Sequence, residues 1–213
     1  MAAATAPSPA VVALRLRHGA PLYHEGMPLT CLFIVCEGLV AQSFSRQHAH
    51  TFYIHGKGSC PDLIDTLSGI SVHRTSAFAM GDTVVASIPR EELRMDTDSL
   101  TPNATSLLKQ IVRQAKGLED HFLQGPSDRS YDRVVNLFHQ LLYASGQINA
   151  SDTILPLPID RPLYSKLTGV VPATFSRMMT RLRHEQLVIP TEQGFHIPDP
   201  ARLCRIATIG KDT

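Results

Sequence analysis

The sequence predicts an α+β fold: an antiparallel β domain first, then a long helix, then a small helical domain. Three observations carry this reading. From Leu14 to Ile88 the apolar residues form short runs, rich in Val, Ile, Phe and Tyr, broken by Gly, Pro, Asp and Ser, the pattern of strands in a sandwich or barrel. Beyond Pro89 the apolar period changes to steps of three and four, which is helical. With 213 residues, 43% of them hydrophobic, the chain can bury one large core or two modest ones.

Residues 1–10 hold, after Met1, only Ala, Thr, Pro and Ser and read as a disordered terminus. Residues 11–100 read as the β domain, with strands expected at Pro21 to Tyr23, Cys31 to Cys36, Leu39 to Phe44, Thr51 to Ile54, Thr75 to Phe78 and Val84 to Ile88. Residues 101–125 read as the long helix. There Leu108, Ile111, Ala115, Leu118 and Phe122 form a narrow apolar seam, the spacing of a helix paired with another helix. Lys109, Arg113, Lys116, Glu119 and Asp120 fall on its exposed faces, and Gly125-Pro126 stops it.

Residues 126–213 read as the C-terminal domain. Ser127 or Asp128 can cap a helix through Tyr143 with Val134, Val135, Phe138, Leu141 and Leu142 inward. A polar connector from Gly146 to Pro158 follows. Two helices, Arg161 to Thr168 and Pro172 to His184, flank a turn at Gly169, and a Gln193-Gly194 turn, a short strand Phe195 to Ile197 and a helical stub Pro200 to Ile206 complete the chain.

The formal net charge is only +1, from 20 Lys and Arg against 19 Asp and Glu. That excludes a uniformly basic nucleic-acid coat and an acidic tail, so any polyanion site must come from local clustering. Such a cluster exists: between Asp160 and Glu185 those two acids face Arg161, Lys166, Arg177, Arg181 and Arg183. The two helices there, joined through Gly169 with Leu167, Val170, Phe175 and Leu182 apolar, have the form of a helix-turn-helix. Pro172 suits the first turn of the second helix. Thr174, Arg177 and Arg181 share one face of that helix, away from the apolar face of Phe175, Met178 and Leu182. Arg177 is the expected base reader, bidentate to guanine O6 and N7; Thr174 and Ser176 can reach phosphate or base, Arg181 is expected on phosphate, and Lys166 adds to the neutralising charge.

VVPATFSRMMTRLRHEQLVI resembles the winged helix-turn-helix of the Crp/Fnr superfamily of bacterial transcription regulators, through Thr174, Ser176, Arg177 and Leu187-Val188-Ile189, with Phe195 to Ile197 as the wing. HGAPLYHEGMPLTCLFIVCEGLV is similar to the opening of that family's β-roll, with Gly19, Glu25, Gly26, Leu32, Ile34 and Gly38 in register. The resemblance covers nearly the whole chain. It implies an N-terminal antiparallel β-roll, the jelly roll of cyclic-nucleotide-binding domains, then a dimerisation helix at 101–125 and a winged helix-turn-helix. It also implies a homodimeric, cytoplasmic regulator on a near-palindromic operator in double-stranded DNA, with RNA polymerase a candidate partner. Ala173 stands where the family usually has Glu and Gln186 where it usually has Gly, so one acceptor for cytosine N4 is missing and the operator should differ.

The resemblance implies an activator or repressor that either answers an unidentified signal at the roll or works without an effector; a candidate effector site lies at Arg74, Thr75 and Asp62. Relatives that bind cyclic AMP carry Gly-Glu about ten residues before an Arg-Ser or Arg-Thr pair. Here Arg74-Thr75 is kept and the Gly-Glu is absent, so cyclic AMP is disfavoured. Arg74 beside Thr75 can receive an anion or make an internal salt bridge. The cofactor is unassigned: Cys31, Cys36, Cys60 and Cys204 do not match an iron-sulfur ligand set, and read as buried thiols, with Cys60 the one candidate sensor. His73 lies where carbon-monoxide sensors of the family place a haem ligand but has no evident axial partner, and His48 and His50 read as exposed hairpin residues. No metal site, membrane segment or secretory leader is expected. No nucleophile-base pair, Walker loop or HExxH motif points to an enzyme. The alternative function is a small-molecule module, for a cyclic-nucleotide-like ligand or haem, whose C-terminal helices contact protein rather than DNA.

Overall fold

Short apolar runs do become an antiparallel sheet. Its strands are β1 (Val12–Leu16), β2 (Pro21–Tyr23), β3 (Cys31–Arg46), β4 (Ala49–His55) and β5 (Ser76–Pro89). They lie in the order β1-β5-β3-β4, with β2 also paired to β5. The computed structural model describes residues 11–46, 49–92, 111–112 and 130–209. A short helix, α1 (Leu63–Leu67), sits between β4 and β5, and a 3-10 turn spans Arg90–Glu92.

Two pairs of expected strands are single strands. Cys31 to Cys36 and Leu39 to Phe44 belong to β3, and Val84 to Ile88 continues a strand begun at Ser76. Gly38, which falls between the two expected strands, is the bend in a continuous ribbon: pairing of β3 with β5 shifts register between Val35, Glu37 and Leu39. At Gly38 φ is +77°, and a Cβ there would lie 2.5 Å from the Asp82 carbonyl oxygen. Only glycine lets the two bent strands approach so closely.

The C-terminal half contains α2 (Ser130–Ala144), β6 (Thr153–Leu155), α3 (Arg161–Thr168), α4 (Pro172–His184), β7 (Ile189–Thr191), β8 (Gly194–Ile197) and α5 (Pro200–Ile209). The stretch read as a plain connector therefore carries a strand. Thr153, Ile154 and Leu155 pair with Ile197, His196 and Phe195, which completes a three-stranded sheet ordered β6-β8-β7. Helix α2 buries Val134, Val135, Leu137, Phe138, Leu141 and Leu142 on one stripe.

The roll and the C-terminal half share one apolar cluster. It runs from Leu39, Phe52, Ile54 and Met80 into Phe138, Tyr164, Phe175 and Phe195. Their backbones meet directly at Gly56, where a Cβ would fall 1.8 Å from the Ala144 carbonyl oxygen. Polar contacts reinforce the junction: Ile54 N–H donates to Gln140 Oε1 at 3.3 Å. His18 Nδ1 accepts from the Gly81 N–H at 2.9 Å while its Nε2 reaches Asp160 Oδ2 at 3.2 Å.

Of the expected seam, Leu108, Ala115, Leu118 and Phe122 lie outside the described residues. Ile111 is helical and half-buried, packed against the roll cluster of Leu32, Cys60 and Leu63. Residues 1–10, Ser127, Asp128 and His48 are likewise outside. Among the described residues no helix is long and apolar enough to cross a membrane.

Candidate nucleic-acid interface and the polar cluster of the roll

Helix α3 begins where Asp160 caps it, its Oδ1 accepting from Leu163 N–H at 3.0 Å, with Pro162 in the first turn. It ends at Gly169 in the left-handed region, φ 62°, where Val170 N–H returns to the Ser165 carbonyl at 3.1 Å. Extended backbone at Val171 and Pro172 at the start then launch α4. Phe175, Met179 and Leu182, at steps of four and three, are the buried face. Met178, expected on that face, is only half-buried at the edge of the core, because the inward stripe passes through the residue four after Phe175. Tyr164 stacks on Phe175 with centroids 6.3 Å apart and meets Phe195 edge-on at 5.5 Å, so strand β8 backs the two helices.

The other face of α4 is open. Arg177 and Arg181 are exposed, and Thr174 and Ser176 half-buried. Arg177 Nη2 donates to Thr174 Oγ1 at 2.9 Å, a neutral partner that orients the guanidinium without cancelling its charge. Lys166 on α3 is exposed, and Arg161, Lys166, Arg177 and Arg183 make no salt bridge among the described residues. Arg181 differs. Its Nε donates to Glu185 Oε1 at 2.7 Å, and its guanidinium lies 4.0 Å above the Tyr131 ring, whose hydroxyl donates to Glu185 Oε2. Sequence reasoning passed over this cluster. The i,i+4 spacing of Arg181 and Glu185 was a readable signal; Tyr131, on another helix, left none.

Gln186 has φ +56°, and stands at the position where the resembling family usually has glycine. A left-handed conformation costs a side-chain-bearing residue roughly 1–2 kcal/mol, part of which glycine forfeits through its freer unfolded chain. Gln186→Gly is therefore expected to stabilise the protein by up to about 1 kcal/mol, a rise in Tm of about 2–4 °C at most. An unchanged or lower Tm in a thermal melt would show that the Gln186 amide, which donates to the Arg183 carbonyl at 3.2 Å, outweighs the strain.

In the roll, the three candidate effector residues bind one another and their neighbours. Arg74 makes the internal salt bridge: its Nε donates to Asp65 Oδ2 at 3.0 Å and its Nη2 to Asp65 Oδ1. Buried Asp62 accepts from Gln42 Nε2, from Thr75 Oγ1 at 3.2 Å, and pairs with His73 Nδ1 at 2.5 Å. Gln42 Nε2 also reaches Thr75 Oγ1, at 2.9 Å. His73 is buried and stacks on Tyr23, centroids 3.8 Å apart. The strand-borne Gln42 and His55, which complete this cluster, were not singled out from sequence. Cys60 is fully buried, and burial pushes its thiol up to about 12, so it keeps its proton at neutral pH. None of Cys31, Cys36, Cys60 and Cys204 forms a disulfide among the described residues, and of these thiols, all expected to be buried, only Cys60 is; Cys31, Cys36 and Cys204 are half-buried.

His55 Nε2 lies 2.8 Å from Gln42 Oε1, and burial lowers its pKa from 6.5 to about 3. Between these values the unfolded chain holds the proton and the folded one does not, so stability is full above pH 6.5 and is lost as pH falls toward 3. The loss is about 1.4 kcal/mol per pH unit. Denaturant unfolding from pH 7 to pH 4 should show this slope, and His55→Gln should flatten it; equal slopes for both chains would remove His55 from the account.

Comparison with known proteins extends over both halves. Residues 13–95 match the model of the cyclic nucleotide-binding domain and residues 132–206 that of the Crp-like helix-turn-helix domain. The chain is 24% identical over 194 residues to the transcriptional activator protein Anr of Pseudomonas protegens, covering 90% of this chain and 79% of that protein. Among solved structures it is similar to FixK2 from Bradyrhizobium japonicum, with a TM-score of 0.69 at 19% identity over 92% of this chain and 96% of that one. It is also similar to CLP, the c-di-GMP responsive global regulator of Xanthomonas campestris, with a TM-score of 0.65 at 18% identity over 88% and 93% of the two chains.

Proposed function

The chain belongs to the Crp/Fnr family of transcription regulators, and on that premise we propose that it acts as a homodimer that reads a near-palindromic operator through α4. That family consists of regulators and not of enzymes. The observation that carries the reading is the open face of α4, where Thr174, Ser176 and an unneutralised Arg177 stand on a helix held rigidly by Phe175, Met179 and Leu182. A rigid helix with directed donors can enter the major groove, Arg177 on a guanine edge and Lys166, Arg161 and Arg183 on flanking phosphates. Two such helices, related by a two-fold axis, read half-sites about one DNA turn, roughly 34 Å, apart. The seam of Leu108, Ala115, Leu118 and Phe122 is our candidate for that axis, without Ile111, which packs on the roll of its own chain. The protein would work in the cytoplasm, and RNA polymerase is a candidate partner.

Fluorescence anisotropy with a mixed-sequence duplex tests the DNA reading. Affinity should fall more than about tenfold between about 50 and 200 mM salt as neutralised phosphates recapture counterions. Binding that is absent at both salts would favour the small-molecule module acting through protein contacts.

A regulator that needs no effector is the form of the proposal supported by the roll. Arg74 is occupied by Asp65, and Thr75 and Asp62 by each other, Gln42 and His73, so the groups that would receive a cyclic nucleotide are satisfied internally. Ligand entry would have to break these bonds without leaving buried polar groups unpaired. A haem or other cofactor at His73 would likewise have to displace the stacked Tyr23 and the Asp62 contact.

A further inference from the structure

We propose that Glu185, seated by Tyr131, is an electrostatic brake on DNA affinity: it masks Arg181 and keeps that arginine from phosphate. The inference rests on the reading of α4 as the DNA-facing helix. Arg177 and Arg181 lie one turn apart on the same exposed stripe, yet their surroundings differ in charge. Arg177 is held by a hydroxyl. Arg181 is held by a carboxylate at 2.7 Å and by an aromatic face, with its side chain still 56% exposed.

The carboxylate is itself fixed from both sides. Glu185 Oε1 accepts from Arg181 and Oε2 from the Tyr131 hydroxyl, so the ring lies under the guanidinium while its oxygen grips the counter-charge. Partial burial pushes the Glu185 carboxyl upward, but hydrogen bonds from Tyr131 and Arg181 outweigh it and hold the group below the usual carboxylate range. It is a full negative charge at neutral pH. Approach of a phosphate to Arg181 would bring that charge close to the DNA backbone, and releasing Arg181 would cost it both the ion pair and the ring. An isolated i,i+4 pair on a helix surface would be weak and easily exchanged for phosphate. Tyr131 makes this one different, because it belongs to α2 and ties the carboxylate to a second helix.

Removing the negative charge while keeping the shape should free Arg181. Glu185→Gln is expected to tighten binding to a mixed-sequence duplex about fivefold to tenfold at 0.1 M salt, and to steepen the dependence of log K on log salt by about 0.9, one added phosphate contact. In an Arg181→Ala background the same substitution should change affinity less than twofold. Tyr131→Phe keeps the ring and removes one grip on Glu185, so it should shift affinity in the same direction by a smaller factor. An equal gain from Glu185→Gln with and without Arg181 would reduce the effect to general repulsion and overturn the proposal. So would no gain from either Glu185→Gln or Tyr131→Phe in chains whose melting shows them folded. Wild-type protein that binds no duplex at any salt would instead overturn the DNA reading itself, and the brake with it.

Discussion

Arg177→Ala is expected to weaken binding to the preferred duplex about tenfold to hundredfold, about 1–3 kcal/mol, and to relax preference at one base pair per half-site. The reason is geometric. Arg177 projects from the exposed face of α4 and is oriented by Thr174 Oγ1 at 2.9 Å, so the fork is aimed before DNA arrives. No core residue depends on it, and the melting temperature should stay within about a degree, as for surface changes generally. Anisotropy titrations on the preferred site and on its single-base variants separate the outcomes. A uniform loss on every sequence would make Arg177 a phosphate contact; a loss confined to the preferred base would make it the reader.

Phe138→Ala should cost about 3–5 kcal/mol of stability, the range for emptying a buried aromatic site. Phe138 is fully buried on α2, edge-on to Phe195 with centroids 5.0 Å apart, inside the cluster that continues into Phe52, Ile54 and Met80 of the roll. A cavity there should therefore weaken both halves together. Denaturant unfolding should show one transition moved to lower denaturant by near-UV and far-UV signals alike. A roll that unfolds at its original midpoint while the C-terminal half melts early would mean that the shared cluster does not couple them.

The helix-turn-helix was the most legible part of the sequence because its signals are local. Pro172, the Gly169 turn and the three-and-four spacing of apolar residues mark α3 and α4 at the bounds observed. The roll was legible as strands but not in their lengths. Gly38 looks like a turn residue in sequence, and whether a glycine ends a strand or bends it depends on the facing strand, here Asp82 and Thr83. Strand β6 was missed for a similar reason: Thr153-Ile154-Leu155 is too short to show a period and is made a strand by β8, some forty residues later.

The polar clusters divide the same way. Arg74 and Asp65 are close in sequence, and an internal salt bridge of Arg74, though not its partner, was an open alternative. Gln42, His55 and Tyr131 take their roles from partners on other elements of the fold, so nothing in their own neighbourhoods announces them. Arg181 shows what this does to a site assignment. Read on its helix it is a cation facing outward; with Tyr131 and Glu185 in place it is half of an ion pair.

Reading of a short two-fold symmetric DNA site by this chain is open to direct test. Selection of bound sequences from a pool of random duplexes, at stated salt and with and without cell extract, tests it most directly. A near-palindromic motif with half-sites about one helical turn apart is expected, recovered without extract because the effector groups are satisfied internally. A motif that appears only with extract would contradict the effector-independent form, and the absence of any two-fold symmetric motif under both conditions would contradict the DNA-reading function itself.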